Sequence, residues 1–256
     1  MSDILQVRGL TKRFGGLAAV QEVDFTVRTG GITGLIGPNG AGKTTIFNLI
    51  TGVYKVTSGT VTFEGKDITN TEPYLVADIG ITRTFQNIRL FKNLSVFDNV
   101  LTACHASAGY NLADSFFRLP RFWREEKKLR EKALELLTIL GLEDRKDAIA
   151  NGLPYGLQRR LEITRALALD PRLLLLDEPA AGMNPDETEQ LMHLIGEIRD
   201  RFKLSVLVIE HHMDLVMRLC EHIVVLNFGQ KLADGTPEAI RGDRHVVEAY
   251  LGGGDE

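Results

Sequence analysis

The chain has 256 residues, of which 44% are hydrophobic and 25% are charged, and a formal net charge of −4 at pH 7. This length suffices for one large domain, or for a core with a smaller part attached, and the composition is that of an ordinary globular protein. The acidic balance argues against nucleic-acid binding, and no apolar run approaches the roughly 20 residues that span a bilayer. The N-terminus lacks a basic segment followed by an apolar one, so we expect a cytosolic protein whose membrane contacts are peripheral.

The first hundred residues are predicted to form short strands that are separated by glycine turns. ILQV, VDFTV and ITGLIG fit buried or half-buried strands, and TSGTVTFEGKDIT alternates apolar with polar residues. From about residue 101 to residue 150 the pattern changes, because apolar residues recur at helical spacing between charges. This stretch predicts an inserted helical subdomain.

Strands and helices alternate in the rest of the chain. RLLLLDEP, LSVLVIE and HIVVLNFG are predicted strands, and MDLVMRLC is a predicted helix. Such an alternation predicts parallel strands with helices packed on them. The last residues, GGGDE, are predicted to form a frayed tail.

One helix in this region has a well-defined predicted start. In NPDETEQLMHLIGEIRDRF, Asn184 is a suitable N-cap residue and Pro185 suits the first helical position. Glu187 stands where a capping box requires an acid. We therefore expect the helix to begin immediately after Asn184.

The two cysteines, Cys104 and Cys220, are far apart in the sequence. A disulfide framework in a small domain uses more cysteines than this. We expect two reduced thiols, in the core or at the surface.

The segment GPNGAGKT matches the phosphate-binding pattern G-x-x-x-x-G-K-[ST] between a predicted strand and a predicted helix. Its glycines let backbone N–H groups point inward, and the helix N-terminus adds a dipole that favours phosphate. We expect Lys43 to bridge the β- and γ-phosphates and the Thr44 hydroxyl to bind Mg²⁺. A chance glycine turn with an exposed lysine is the alternative. The predicted nucleotide-binding residues of this loop are Gly37, Pro38, Asn39, Gly40, Ala41, Gly42, Lys43, Thr44 and Thr45.

The segment LLLLDEP strengthens this interpretation, because its apolar strand ends in two acids. Asp177 can place a carboxylate near the metal, and Glu178 can accept a proton from an attacking water. Two acids at the end of a surface strand are the alternative, which the upstream phosphate-binding loop disfavours.

Together with TKRFGG, TRTFQNIRLF and VIEHHMD, which occur in the expected order, these motifs resemble the ATPase subunit of an ATP-binding-cassette (ABC) transporter over nearly the whole chain. The resemblance implies an α/β fold. Its parts are a P-loop NTPase core of mostly parallel sheet flanked by helices, an N-terminal antiparallel β subdomain and an inserted helical subdomain. We expect one ABC ATPase domain over residues 1–256. Its nucleotide-binding core covers about residues 1–100 and 165–256, and the helical subdomain with the signature segment covers about residues 101–164.

The resemblance also implies roles for single residues. Phe14 would stack on adenine, and Gln86 would contact Mg²⁺ and the attacking water, together with the metal-binding Thr44 and Asp177. His211, rather than His212, would contact the γ-phosphate. The other histidines are interpreted as surface or packing residues, namely His105, His193, His222 and His245.

The signature segment departs from the family pattern L-S-G-G-Q, which contacts ATP held by the opposite subunit. Pro154 replaces the serine and Tyr155 the first glycine, while Gly156 and the following helix LQRRLEITRALAL remain. Tyr155 and Gly156 are the expected contacts to the partner's nucleotide. In the neighbouring segment AAGMNP, Ala181 and Asn184 stand where serine and aspartate are commoner. Because Lys43, Glu178 and His211 are all retained, we interpret the chain as a working variant.

Three segments are similar to the longer of the two ATPases that drive bacterial import of branched-chain amino acids, namely ITRTFQNIRLFKNLSVFDNV, LPYGLQRRLEITRALA and AAGMNP. The helical insertion, which is longer than in compact relatives, fits the same group, including Phe116, Phe117, Phe122 and Trp123. An apolar strip is a candidate docking surface for a permease helix, with core packing as the alternative; it consists of Phe85, Ile88, Leu90, Phe91 and Leu94.

This resemblance implies ATP and Mg²⁺ as cofactors and a second ABC ATPase as partner, in a heterodimer or, in isolation, a homodimer. It further implies two membrane permeases, indirectly a periplasmic binding protein, and a place at the cytoplasmic face of the bacterial inner membrane. ATP would bridge the two ATPases, and closure of the dimer would act on the permeases through the surface near Gln86. The alternatives are transport of urea or a short amide, lipopolysaccharide extraction, a soluble ABC protein acting on DNA or ribosomes, and a non-catalytic regulatory module. The soluble proteins usually carry two cassettes or long coiled-coil or basic segments, which this chain lacks.

Overall fold

The computed structural model describes residues 2–109, 114, 116 and 120–251. Phe117 and the predicted GGGDE tail lie outside the described residues. The chain divides into two compact units, one made of Met1–Gln86 with Arg172–Glu256 and the other of Asn87–Pro171. The strands, in chain order, are β1 (Asp3–Phe14), β2 (Leu17–Arg28), β3 (Ile32–Ile36), β4 (Ser58–Phe63), β5 (Lys66–Asp67), β6 (Ile81–Arg83), β7 (Leu173–Asp177), β8 (Ser205–Ile209), β9 (His222–Asn227) and β10 (Gln230–Gly235).

The strands of the first unit form two sheets. The four-stranded sheet has the order β2-β1-β4-β5 and is antiparallel. The six-stranded sheet has the order β10-β9-β3-β8-β7-β6, and its strands run parallel except for β10 at one edge. The predicted fold, a mostly parallel core sheet with an N-terminal antiparallel sheet, is confirmed.

Every residue of β3, β7 and β8 is buried, as expected of parallel strands that are covered on both faces. The carboxyl ends of these strands meet at one edge of the sheet, which is where ligands bind in open α/β sheets. The segments that follow β3, β6, β7 and β8 carry all of the catalytic residues that the sequence predicts.

The helices described by the structure flank these sheets or form the second unit. In chain order they are α1 (Lys43–Ile50), α2 (Pro73–Asp78), α3 (Val96–Cys104), α4 (Pro120–Ile139), α5 (Tyr155–Leu167), α6 (Pro185–Phe202), α7 (Met213–Leu219), α8 (Pro237–Arg241) and α9 (Arg244–Leu251). The capping box predicted for α6 is present, because the Asn184 side chain accepts from the Glu187 N–H and the Glu187 side chain accepts from the Asn184 N–H. Within the described part of the chain, no helix is both long and apolar enough to cross a membrane.

In the second unit, α3 packs against α4 and α5. Helix α5 begins at Tyr155, two residues before the predicted start at Leu157. Pro154 is its N-cap residue, with extended backbone angles, and its carbonyl accepts from the Gln158 N–H at 3.0 Å. Because a proline before the first turn caps the helix without needing a donor of its own, Tyr155 and Gly156 enter the first turn.

One apolar core joins both sheets of the first unit around α1. Ile46 and Phe47 of α1 belong to the same buried cluster as Val23 of β2 and Leu175 of β7. This packing holds the loop before α1 in a fixed place at the sheet edge. The two cysteines form no disulfide, as predicted, and both are buried, Cys104 in α3 and Cys220 after α7.

Candidate functional site

The loop between β3 and α1 wraps closely around the side chain of Lys43. The Lys43 ammonium donates to the carbonyl oxygens of Gly37 and Pro38, at 2.7 and 2.9 Å. Gly37 has a φ of 151°, and a Cβ at this position would lie 2.2 Å from the Leu226 carbonyl oxygen. Only glycine fits there, because both the backbone conformation and the close approach exclude a side chain.

This loop forms one wall of a cavity of about 290 Å³. The cavity brings seven of the nine predicted phosphate-binding residues, all but Gly37 and Pro38, together with Gln86 and Glu178, which lie far away in the sequence. Its lining residues are Ala19, Asn39, Gly40, Ala41, Gly42, Lys43, Thr44, Thr45, Gln86 and Glu178. A cavity lined by a P-loop, an amide and a carboxylate has the chemical groups needed to hold a triphosphate and a water molecule.

Glu178 adopts a left-handed backbone conformation with a φ of 45°. Its N–H donates to the Ile209 carbonyl at 2.9 Å, so the chain turns sharply after β7. Such a conformation costs a non-glycine residue on the order of 1–3 kcal/mol and is concentrated at functional sites. Here the turn directs the Glu178 carboxylate into the cavity, where its Oε2 accepts from Gln86 Nε2 at 2.8 Å.

His211 lies near the same carboxylate but outside the lining of this cavity. Its Nδ1 is 3.9 Å from Glu178 Oε2, and 43% of its side chain is exposed. The structure thus brings Gln86, Glu178 and His211 together, although they follow three different strands.

Asp177 is buried at the end of β7 and forms an ion pair that the sequence did not predict. Its Oδ2 accepts from Arg83 at 2.6 Å, and the same guanidinium donates to Asn48 of α1 at 2.6 Å. The ion pair fixes the Asp177 carboxylate next to α1. The only sequence signal for Arg83 is its position three residues before Gln86, which is not specific.

The charges around Lys43 act on its pKa in opposite directions. Burial lowers the pKa of Lys43 below its usual value, and the nearby carboxylates of Glu178 and Asp177 partly offset this effect. The positive charge is therefore partly desolvated, which strengthens its interaction with any anion that enters the cavity.

Glu210, at the end of β8, is a second buried acid that the sequence analysis missed. It is fully buried, and its Oε1 accepts from the Ala180 N–H at 3.0 Å. Its Oε2 accepts from the His211 N–H at 3.3 Å. An acid at the end of an apolar strand is the same signal that identified Asp177, so Glu210 could have been predicted from the sequence.

Phe14, at the end of β1, lies outside the lining of the cavity. Its ring packs edge-on against Tyr54, with ring centroids 5.3 Å apart and an interplanar angle of 81°. The Lys12 ammonium lies 4.9 Å from the Phe14 ring centroid and donates to the Lys55 carbonyl. Phe14 remains 44% exposed, so one aromatic surface is held in place and accessible. Nothing in the sequence indicated that Tyr54 would support it.

The signature residues Tyr155 and Gly156 belong to the second unit. Arg159, one turn further along α5, is fully buried, pairs with Glu162 at 2.7 Å and donates to the Tyr155 hydroxyl at 3.3 Å. Tyr155 itself is 41% exposed. The buried Arg159 side chain thus holds the first turn of α5 in place, while Tyr155 in that turn remains accessible to solvent.

The apolar strip is not a core segment. Phe85 lies in the first unit and the other four residues lie in the second. None of the five is buried, and Phe91 and Leu94 are exposed. The core-packing alternative is therefore wrong for Phe91 and Leu94.

The parallel sheet, the P-loop between β3 and α1 and the acids at the end of β7 define the P-loop class of nucleotide-binding proteins. The family model for "ABC transporter" matches residues 20–181, and that for "Branched-chain amino acid ATP-binding cassette transporter" matches residues 230–256. The chain belongs to the ABC transporter family, whose ATP-binding subunits bind nucleotide and hydrolyse ATP.

Relatives and solved structures match nearly the whole chain. The high-affinity branched-chain amino acid transport ATP-binding protein BraF of Pseudomonas aeruginosa is 47% identical over 97% of this chain and 98% of its own. LivG of Escherichia coli, a protein described in the same words, is 44% identical over the same shares. The ADP conformation of MJ1267, an ATP-binding cassette of an ABC transporter, matches with a TM-score of 0.86 and 35% identity, covering 98% of this chain and 100% of the other.

Proposed function

We propose that this protein is the ATP-hydrolysing subunit that energises an importer of branched-chain amino acids, namely leucine, isoleucine and valine. The observation that carries the proposal is the cavity that unites the P-loop with Gln86 and Glu178. The cargo follows from the relatives, since BraF and LivG are both described as branched-chain amino acid transport ATP-binding proteins.

ATP binds with its phosphates in the P-loop, residues 37–45. Lys43 exchanges the carbonyl oxygens that it contacts in this structure for β- and γ-phosphate oxygens, and its charge offsets theirs. The oxygen donors near the loop fit Mg²⁺, which prefers oxygen ligands, and they are the Thr44 hydroxyl, the Gln86 amide and the Asp177 carboxylate. Bound there, Mg²⁺ would neutralise phosphate charge.

Glu178 accepts the proton of the water that attacks the γ-phosphate. Gln86, which donates to the same carboxylate, holds Glu178 and the water in line. His211, whose Nδ1 is 3.9 Å from Glu178 Oε2, contacts the γ-phosphate in this proposal. Catalysis in this scheme comes from positioning and electrostatics rather than from covalent chemistry.

Dimerisation completes the site. The first turn of α5, with Tyr155 and Gly156, contacts the ATP that is held by the partner, and the helix N-terminus supplies part of the attraction that the missing serine would have given. The partner is a second, different ABC ATPase. Two permeases and, indirectly, a periplasmic binding protein complete the importer, which places the chain at the cytoplasmic face of the inner membrane.

The exposed residues Phe91 and Leu94 are part of the surface that we assign to a permease helix. Closure of the ATPase dimer then pulls on the permeases through this strip. The alternatives, another small polar cargo, lipopolysaccharide extraction or a soluble ABC protein, find no support among the relatives described above.

Transport tests the proposal. Deletion of the gene should lower the uptake of radiolabelled leucine, isoleucine and valine at low external concentration. Wild-type protein should restore uptake, whereas Glu178→Gln should not. Normal uptake of all three amino acids in the deletion strain, with no redundant system present, would exclude this cargo and leave the ATPase assignment standing.

A further inference from the structure

Three consecutive residues after β8 present metal-binding atoms at one place. One ligand atom each from Glu210, His211 and His212 lies within 4.8 Å of the others. Nδ1 of His212 is 3.4 Å from Oε2 of Glu210, and Nδ1 of His211 is 3.9 Å from the same oxygen. In a tetrahedral zinc site with bonds of about 2.0–2.1 Å, neighbouring ligand atoms are about 3.3 Å apart. The three side chains are therefore close to the arrangement that such an ion requires.

The carboxylate of this group is fixed and the imidazoles are accessible. Glu210 is fully buried, and its oxygens accept from the N–H groups of Ala180 and His211. Nδ1 of His212 lies within hydrogen-bond distance of Oε2, so a bound ion would take the place of this contact. The exposed fractions of the His211 and His212 side chains are 43% and 56%. Both histidines line a cavity of about 710 Å³ through which an ion can arrive from solvent.

The ligand types select a particular class of ion. Two imidazole nitrogens and one carboxylate oxygen suit zinc and similar divalent transition metals, whereas Mg²⁺ prefers oxygen ligands and reluctantly loses water. The Mg²⁺ that accompanies ATP would therefore not occupy this group. A cation there would also compensate the buried Glu210 carboxylate, whose burial is otherwise costly.

We propose that Glu210, His211 and His212 form a binding site for Zn²⁺ or a similar divalent transition-metal ion, and that the bound ion stops ATP hydrolysis. The site rests on the geometry alone, while its effect on hydrolysis rests on the proposed function, in which His211 contacts the γ-phosphate. An ion shared by Glu210 and Nδ1 of His211 holds this ring against the buried carboxylate and leaves only Nε2 for contact with the phosphate. Because the same Nδ1 is 3.9 Å from Glu178 Oε2, the ion also places positive charge beside the proton-accepting carboxylate.

A calorimetric titration of the purified, metal-free protein with Zn²⁺ tests the site. Wild-type protein should bind one ion per chain at this group. His212→Asn should weaken Zn²⁺ binding at least about tenfold, or ~1.4 kcal/mol. The His212 side chain makes no capping hydrogen bond to α7, so this substitution removes no helix cap. The matched control is His245→Asn, an exposed histidine beside Asp243, which should bind as wild type does. Equal Zn²⁺ binding by wild type and His212→Asn, or no binding by wild type, would overturn the proposal.

ATP hydrolysis by the assembled transporter at saturating Mg²⁺ and ATP tests the effect. Low micromolar Zn²⁺ should inhibit wild type and spare His212→Asn, and a zinc-selective chelator should reverse the inhibition. Zn²⁺ binding at this group without inhibition of ATP hydrolysis would overturn the inhibitory role of the ion, but it would not overturn the binding site. If the assembly hydrolyses no ATP even without Zn²⁺, the proposed function fails, and the binding titration still decides the site.

Discussion

At the scale of single residues, the most informative feature is the edge-on contact that fixes the Phe14 ring. Tyr54→Leu removes the aromatic partner at 5.3 Å and leaves Phe14 free to turn. We expect Phe14 to stack on the adenine of ATP, so ATP should bind more weakly once this ring is no longer held. Aromatic pairs contribute about 0.5–1.5 kcal/mol, and the KM for ATP should therefore rise about 2- to 12-fold while kcat is unchanged. Steady-state kinetics measures this.

Two variants control for this change. Tyr54→Phe keeps the ring and should behave as wild type, and Tyr74→Leu removes an exposed tyrosine on α2 that has no proposed role. An unaltered KM in Tyr54→Leu would mean that Phe14 does not depend on this contact, or does not contact the base.

The buried pair of Arg83 and Asp177 makes a prediction about stability. Both side chains are nearly inaccessible, with 6% and 3% exposed. Arg83→Met leaves the Asp177 charge buried without its partner, so the free energy of unfolding should fall by about 3–5 kcal/mol. Chemical denaturation measures the difference.

The exposed pair of Lys55 and Glu72 is the matched control. Lys55→Met should cost no more than about 1 kcal/mol, because exposed ion pairs contribute little. Adding Asp177→Asn to Arg83→Met should recover part of the loss. If Arg83→Met and Lys55→Met lower the free energy of unfolding equally, the buried pair stabilises the fold no more than the exposed pair does.

At the scale of elements, the start of α6 depends on its capping box. Asn184→Ala removes the side chain that accepts from the Glu187 N–H at 2.9 Å. The free energy of unfolding should fall by about 1 kcal/mol, within a range of about 0.5–2. Asn184→Asp restores an acceptor and should be close to wild type. Thermal unfolding of both variants checks this, and identical melting of Asn184→Ala and wild type would refute it.

The sequence predicts an element well when the residues that determine it are close together in the chain. The P-loop, the α6 cap and most strands follow from residues that are neighbours in the chain and were predicted, whereas β6 and β10 were not predicted. The Arg83–Asp177 pair and the Phe14–Tyr54 contact join residues that are distant in the chain, and neither left a specific signal in the sequence.

At the scale of the whole molecule, the two thiols report on the integrity of the packing. Cys104 and Cys220 are buried in different units, and burial raises the pKa of both thiols. Because the thiolate is the reactive form, a raised pKa leaves less of it at any given pH. Neither thiol should react with an aromatic disulfide reagent in the folded protein, and both should react in denaturant. Rapid reaction of either thiol in native buffer would contradict the packing described here.

The central claim is that Lys43, Gln86, Glu178 and His211 together form the site that hydrolyses ATP. Its most direct test compares ATP binding and ATP turnover in wild type and Glu178→Gln, in the assembled transporter. The account predicts that the variant binds ATP as wild type does, since Glu178 does not hold the phosphates, and that turnover falls on the order of 10²- to 10⁴-fold, as expected on losing a general base. Wild-type turnover in Glu178→Gln would contradict it and remove Glu178 from the role of proton acceptor.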